Sequence, residues 1–406
     1  MDKKSNMLNA DQALQLLLAG AKPLAETESV ATAEALNRVL AKSQASGVNV
    51  PPLDNSAMDG YAVRIADIAG SATLRVAQRI PAGTVGQPLE AGTAARIFTG
   101  APIPPGCDAV VMQENCRAEG DTVTIGQAPR PGENIRRAGE DIAAGAEILP
   151  AGIRLRPQEL GLAASVGIAS LPVFRRLKVA AFFTGDEIVM PGQPLQPGQI
   201  YNSNRFVLAG LLQALGCETI DLGIVPDDFA ATRKVLEQAA GCADLVITSG
   251  GVSVGEEDHV KAAVEAAGAL DLWKIAIKPG KPLAFGHVGA TPFIGLPGNP
   301  VSAFVTFCLF VRPFILKSQG ATAIGPQTFA LKADFDWPKP DKRREFLRAR
   351  LHMGDDGSTG ARLYPNQGSG VLTSVTWADG LIEVPENTTI QRGETVKFLP
   401  FSGLFN

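Results

Sequence analysis

The sequence predicts a multidomain α/β protein whose centre is a doubly wound, mainly parallel sheet. Three observations lead there. Between residues 176 and about 320, apolar runs of strand length alternate with stretches of helical period, the pattern of βα units stacked into an open parallel sheet. Beyond them, residues 47–142 and 327–406 carry short β-rich runs broken by Pro and Gly turns, the texture of compact β domains. A chain of 406 residues also exceeds one domain at roughly 150 residues each.

Taken in order, residues 8–19 and 29–42 read as helices, because Leu14, Leu17 and Leu18, then Ala35, Leu36, Val39 and Leu40, fall at i, i+3, i+4 spacings. At Gly47 the texture changes, and LRVAQRI, AARIFTG, DAVVMQE and TVTIG read as strands. Helical texture returns in PQELGLAASVG, with Pro157 in the first turn. The expected organisation is a helical domain made of 1–46 and 143–175, an inserted β domain over 47–142, the α/β domain over 176–326 and a C-terminal β domain over 327–406.

Within the α/β domain, strands are expected at 177–183, 218–224, 244–249 and 272–277, helices at 203–215, 229–240, 258–267 and 300–317, and a hairpin at 283–295. Helix 203–215 is the clearest, with Ser203 as its expected cap, Leu208, Leu211, Leu212 and Leu215 on one face, and Gly216 as its stop. The apolar stretch 301–316 is interrupted by Arg312 and Pro313. It falls short of the about 20 residues that cross a bilayer and reads as a buried helix.

Hydrophobic content of 45%, charged content of 19% and a net charge of −4 describe a soluble globular chain and give no nucleic-acid footprint and no membrane anchor. The run Lys342, Arg343, Arg344, Arg348 and Arg350 reads as a strand with a charged, solvated face, Arg348 excepted. Cys107, Cys116, Cys217, Cys242 and Cys308 are scattered without a C-x-x-C pair, which favours a reducing cytoplasm over a zinc or iron–sulfur site. The N-terminal LNADQALQLLLAG reads as an amphipathic helix, not a targeting segment.

The chemistry-bearing stretch is Asp244 to His259, DLVITSGGVSVGEEDH. A buried strand runs into a glycine loop, and Asp258 can cap the helix that follows. Such a loop suits an anion or a flat polar ring, or is a plain βα turn; it spells neither a P-loop nor G-x-G-x-x-G. In doubly wound sheets ligands sit at the carboxyl ends of the strands, where TGDE (184–187), SGGVSVGEED (249–258) and LPGNP (296–300) all belong. In LPGNP, Asn299 can cap a helix with Pro300 at its first position. Lys274, Lys278 and Lys281, in KIAIKPGKP, can add cations for phosphate or another oxyanion. Glu187, Asp227 and Asp258 are expected to converge on the same crevice, and clustered carboxylates call for a hard divalent ion such as Mg²⁺ bridging to substrate phosphates. Asp227 or Asp228 can equally cap the helix at 229. The three histidines are too scattered for a metal site or a triad, so metal-plus-oxyanion chemistry on a phosphorylated substrate is the expected class.

The motifs PPLDNSAMDGYAVR, RIFTGAPIPPGCDAVVMQE, GENIRRAGEDI, FFTGDEI, GQIYNSNR, SGGVSVGEEDH, KIAIKPGKPLAFG and GLPGNPVSA together resemble the molybdopterin molybdenumtransferases of the MoeA type, which are similar to the C-terminal domain of gephyrin. The C-terminal part matches more loosely, through FLRARL and NQGSG. The resemblance implies four domains, with an elongated helical domain used in dimerisation, a MogA-like α/β domain that binds molybdopterin and a β-barrel-like C-terminal domain. It implies insertion of molybdate into adenylylated molybdopterin with release of AMP, a Mg²⁺ cofactor, and a homodimer with its cleft between subunits. The adenylyltransferase and cofactor acceptors are implied as further contacts. By resemblance the catalytic positions are Asp59, Asp141, Glu187, Asp227, Asp258, Lys274 and Lys278, with the five acids as Mg²⁺ ligands. Substrate-binding positions are Thr99, Gly250, Gly251, Ser253, Lys281, Pro297, Pro300, Arg348 and Ser369. Two rival readings remain at this stage, a molybdopterin adenylyltransferase and a non-catalytic scaffold.

Overall fold

The computed structural model describes residues 7–252, 259–354, 357 and 359–405. Its central sheet has six strands in the order Glu218–Val225, Lys178–Thr184, Leu245–Ser249, Thr291–Leu296, Pro282–Val288 and Gly268–Lys274. The first four are mutually parallel, and only Pro282–Val288 runs against the rest. Lys178–Thr184 and Leu245–Ser249 are buried along almost their whole length, as strands covered by helices on both faces must be. The helices Ser203–Ala214, Phe229–Cys242 and His259–Ala267 supply that cover. The first is capped by Asn202, whose side chain accepts from the Arg205 amide, and not by Ser203. Gly216 ends it at φ +72°.

The helix Pro300–Ser318 is 19 residues long and apolar, and 89% of it is buried inside the protein. Burial, more than length, makes it a core helix. Its middle widens into a π turn, Phe307–Val311, just before Pro313, which has no N–H to give a carbonyl four residues back.

Two other expectations change. Residues 29–42 are not helical. Thr27–Ala31 is a strand paired antiparallel with Ser170–Phe174, a 3₁₀ turn follows at Thr32–Glu34, and Val39 and Leu40 bridge to Arg154 and Val173. The expected strand 272–277 is split. Gly268–Lys274 closes the central sheet, whereas Ile277–Lys278 pairs in parallel with Arg344–Met353 of the C-terminal sheet. The helix Ala10–Gly20 packs Ala13 and Leu17 into the cluster built from the central sheet and Pro300–Ser318.

Residues 47–142 hold a six-stranded sheet with its own buried clusters. In the C-terminal sheet, Arg344–Met353 pairs with both Thr359–Leu363 and Gly380–Val384, so five strands close on themselves like a barrel. The basic run is not simply solvated there. Arg344 lies at 2.8 Å from Asp11 and 3.3 Å from each of Glu383 and Glu386.

Asp244, at the amino end of its strand, accepts from Arg175 at 2.7 and 2.8 Å and from the Lys178 amide at 2.8 Å. Burial pushes its pKa up, but these hydrogen bonds and the arginine charge outweigh it and hold the carboxyl below its ordinary range. A depressed folded-state pKa stabilises fully above the unfolded value of about 3.9, and that stabilisation is lost as pH falls through the folded value. Asp244→Asn should therefore lower the thermal unfolding midpoint at pH 7, with the gap to wild type narrowing below about pH 4. An equal gap at both pH values would mean that shape, not charge, carries the contact.

Candidate active site

Register places the polar loops together. Phe183 pairs with Ser249, Ser249 with Leu296, and Thr184 with Val225. Four parallel strands thus end in line, and TGDE, the Asp227–Asp228 turn, the glycine loop and LPGNP all leave one sheet edge. Small residues let them close up. Gly250 (φ +98°) and Gly251 (φ +64°) occupy backbone conformations that side chains rarely adopt, and a Cβ on them would meet Thr184 O at 2.6 Å and Thr184 Oγ1 at 2.7 Å.

Asn204 ties the loops to one another. Its Nδ2 donates to Ser249 Oγ and to Gly298 O, both at 2.8 Å. Ser249, itself buried, donates on to Pro297 O at 2.9 Å. The glycine loop, the LPGNP turn and the start of Ser203–Ala214 are therefore one hydrogen-bonded unit.

The acids are arranged more loosely than expected. Glu187 is exposed, and its carboxylate lies back over Gly185, with Oε2 2.6 Å from where a Cβ would stand. Asp186 Oδ1 accepts from the Asp227 amide at 3.4 Å. Asp228, not Asp227, caps Phe229–Cys242, accepting from the Ala231 amide at 2.9 Å. Ser253 and Asp258 lie outside the described residues. Among the described residues no group of three His, Cys, Asp or Glu side chains is placed to hold a metal ion.

On the cationic side, Lys274 is half-buried and Lys281 exposed. Their backbones are used as structure, since Lys274 O accepts from the Leu8 amide and Lys281 O from the Ile275 amide. Lys278 Nζ lies 2.7 Å from Glu345 Oε1 and 3.6 Å from Asp341 Oδ2. Asn299 stands at the N-cap of the helix from Pro300 but makes no side-chain cap; the Val301 amide donates instead to Ser369 O at 3.0 Å. The C-terminal domain thus closes this helix end with a carbonyl.

Arg348 is a correction. Its residue is 0% exposed, so it has no surface to offer an oxyanion. Its Nε donates to Ser374 Oγ at 3.0 Å, and its two Nη groups to Phe346 O at 3.2 Å and Gly368 O at 3.1 Å. Burial takes the guanidinium down to about 10, still protonated at neutral pH. It shapes the loop that presents Ser369.

In the 47–142 sheet domain, Asp59 Oδ1 accepts from both the amide and the hydroxyl of Thr99 at 2.8 Å. The amide bond is the larger cause of its lowered pKa. Asp141 is exposed, its amide donating to Val50 O at 3.1 Å. Asp59 and Thr99 are brought together, while the hydrogen bonds that hold them and Asp141 stay inside this domain.

Three family regions cover most of the chain: the MoeA N-terminal region (domain I and II) over residues 8–167, a probable molybdopterin binding domain over 180–317, and the MoeA C-terminal region (domain IV) over 330–401. A molybdopterin molybdenumtransferase of Haemophilus influenzae is 45% identical over 402 residues, covering 98% of this chain and 100% of its own. The chain belongs to the MoeA family. A Bacillus subtilis molybdopterin molybdenumtransferase is 34% identical over 92% of this chain and 90% of its own. The crystal structure of a molybdopterin biosynthesis MoeA protein from Pyrococcus horikoshii OT3 superposes with a TM-score of 0.83 at 31% identity, covering 97% of this chain and 100% of that one.

Asn204 and Ser249, which tie the loops together, and Glu345, which pairs with Lys278, are residues that sequence reasoning did not single out. Asn204 sits inside NSNR next to the expected cap, the one signal that pointed near it. Glu345 lay hidden in the basic run. Arg348→Met should lower stability by about 2–4 kcal/mol, because three acceptors, two of them buried, lose a donor, and should speed hydrogen exchange at the Val301 amide. Unchanged exchange there would show that Ser369 is held by other contacts.

Proposed function

We propose that this transferase inserts molybdate into the dithiolene of adenylylated molybdopterin, releasing AMP and forming molybdenum cofactor. The observation that carries the reading is the single sheet end where Asn204 and Ser249 tie the glycine loop to LPGNP, with Thr184 of TGDE packed against Gly250 and Gly251 and the Lys278–Lys281 turn packed at Gly280 against the helix that follows LPGNP. Membership of the MoeA family supports it.

In this reading, Lys278, Lys281 and the amides of Gly250 and Gly251 hold the substrate phosphates, as donors on a tight backbone can. Pro297 and Pro300 keep the LPGNP turn rigid beside them. Asp59, Thr99 and Asp141 belong to the same cleft from a second copy of the chain, so the working form is a homodimer. The Thr99 hydrogen bonds keep Asp59 ionised and aimed. Glu187, Asp227 and Asp258 place molybdate and the adenylyl group.

Mg²⁺ fits this donor set as an open site. Carboxylate oxygens are the right ligands, and Mg²⁺ is usually held by one or two of them plus substrate phosphates, not by a protein cage. When bound it would offset charge building on the leaving phosphate. Glu187 and Asp227 are the described side chains that would hold it.

Adenylylated molybdopterin incubated with Mg²⁺ should release AMP only when molybdate is added, and the product should activate a molybdenum-dependent apoenzyme. ATP consumption with pyrophosphate release would point to adenylylation instead. Asp59→Ala and Asp141→Ala should each lower turnover at least about 100-fold with unchanged unfolding midpoints; wild-type turnover in either would remove that residue from the site.

A further inference from the structure

The strand that carries Lys278 does not end in the crevice alone. Ile277–Lys278 pairs with Arg344 and Glu345, placing Lys278 directly opposite Glu345. Glu345 is 1% exposed, and a carboxylate that deep is costly unless it is paired. Oε2 accepts from Trp337 Nε1 at 2.7 Å, and Oε1, which accepts no hydrogen bond among the described residues, faces Lys278 Nζ at 2.7 Å as an ion pair.

The partners differ in what they leave free. The Lys278 side chain is 42% exposed, and its ammonium lies closest to Glu345, with Asp341 Oδ2 farther off at 3.6 Å. Asp341 is held chiefly by Arg343, accepting from its Nε at 3.1 Å, Nη2 at 2.9 Å and amide at 3.0 Å. A lysine stem has many rotamers to lose, and a fixed carboxylate at its tip removes that freedom before any ligand arrives.

We propose that Glu345, fixed by Trp337, is a positioning residue that sets the Lys278 ammonium for the substrate's phosphates. This rests on the reading above, in which Lys278 binds those phosphates. The C-terminal domain then aims a cation of the α/β domain without touching substrate.

The test is the KM for adenylylated molybdopterin in four proteins: wild type, Lys278→Met, Glu345→Gln and the double variant. Glutamine keeps an acceptor for Trp337 and removes the charge. Glu345→Gln should raise KM about tenfold, with kcat within about twofold and a near-native unfolding midpoint. The double variant should be no worse than Lys278→Met alone, because residues acting through one contact are not additive. A further rise in KM in the Lys278→Met background, or loss of stability and kcat with KM unchanged, would overturn the proposal and leave Glu345 a packing residue. A wild-type KM in Lys278→Met would instead remove the phosphate role of Lys278, and the proposal with it. Should Glu345→Gln fail to fold, Trp337→Phe decides: a several-fold rise in KM supports the arrangement, and no change refutes it.

Discussion

The α/β crevice depends on the pairing of Ile277–Lys278 with the strand Arg344–Met353. Two residues of backbone ladder would be slight as an energy source. As a constraint they decide a great deal, because they join a closed β domain to the open edge of a parallel sheet. Once Lys278 is opposite Glu345, the following strand residues Phe346 and Leu347 are buried, Phe346 in the cluster shared with the central domain and Leu347 in the barrel's own. Arg348 then lies beneath the loop that ends at Ser369. The same short ladder therefore sets a lysine, a core contact and the carbonyl that closes a helix N-terminus.

That carbonyl is electrostatically informative. The N-terminus of a helix of 19 residues carries unsatisfied amides and positive potential, and Asn299 does not use its side chain to cap them. Ser369 O takes the Val301 amide, so a fixed dipole of the protein answers part of that field. Arg348 stabilises the arrangement from below, through Gly368 O. A buried guanidinium with three neutral acceptors keeps its positive charge on a strand beneath that loop. Its influence on an anion in the crevice would be through the field, not through contact.

Legibility in the sequence followed the range of the interactions. Period and punctuation sufficed for Lys178–Thr184, Leu245–Ser249, Ser203–Ala214 and the four runs read as strands in 47–142, since each is dictated by its own alternation and its own turns; Gly60–Val63 and Cys116–Glu119 of that sheet were not read. They failed at 29–42, where Ala35, Leu36, Val39 and Leu40 have helical spacing but Leu36 is 42% exposed and the bridge partners of Val39 and Leu40 lie beyond residue 150. A 96-residue insertion, 47–142, separates the two sides of that pairing, so no local window contains it. The split of 272–277 has the same origin: only Lys274 interrupts the apolar run, but Ile275 bridges to Leu8, and Ile277 and Lys278 join another sheet. At the site, glycine and proline motifs marked the loops correctly because backbone conformation is written in those residue types. The roles of Asn204 and Glu345 were not, because a hydrogen bond across 94 residues and an ion pair across 67 leave no mark in either neighbourhood.

Those two residues also show why charge counting along a chain misleads. Lys274, Lys278 and Lys281 read as three equivalent cations around an anion site. In the fold they are unequal. Lys281 is exposed and Lys274 half-buried, while Lys278 shares its charge with a carboxylate that cannot leave, since Trp337 and the barrel hold it. A cation with a resident acid is weaker as a point charge than a free one but better defined in position. In the proposed reading, where these lysines meet substrate phosphates, definition is the more useful property: an exposed lysine can follow a phosphate, and a held one can meet only the phosphate that arrives at its place. The acid that does this resides in a different domain from the lysine. Docking of the C-terminal barrel is thus a condition for the crevice having that geometry at all.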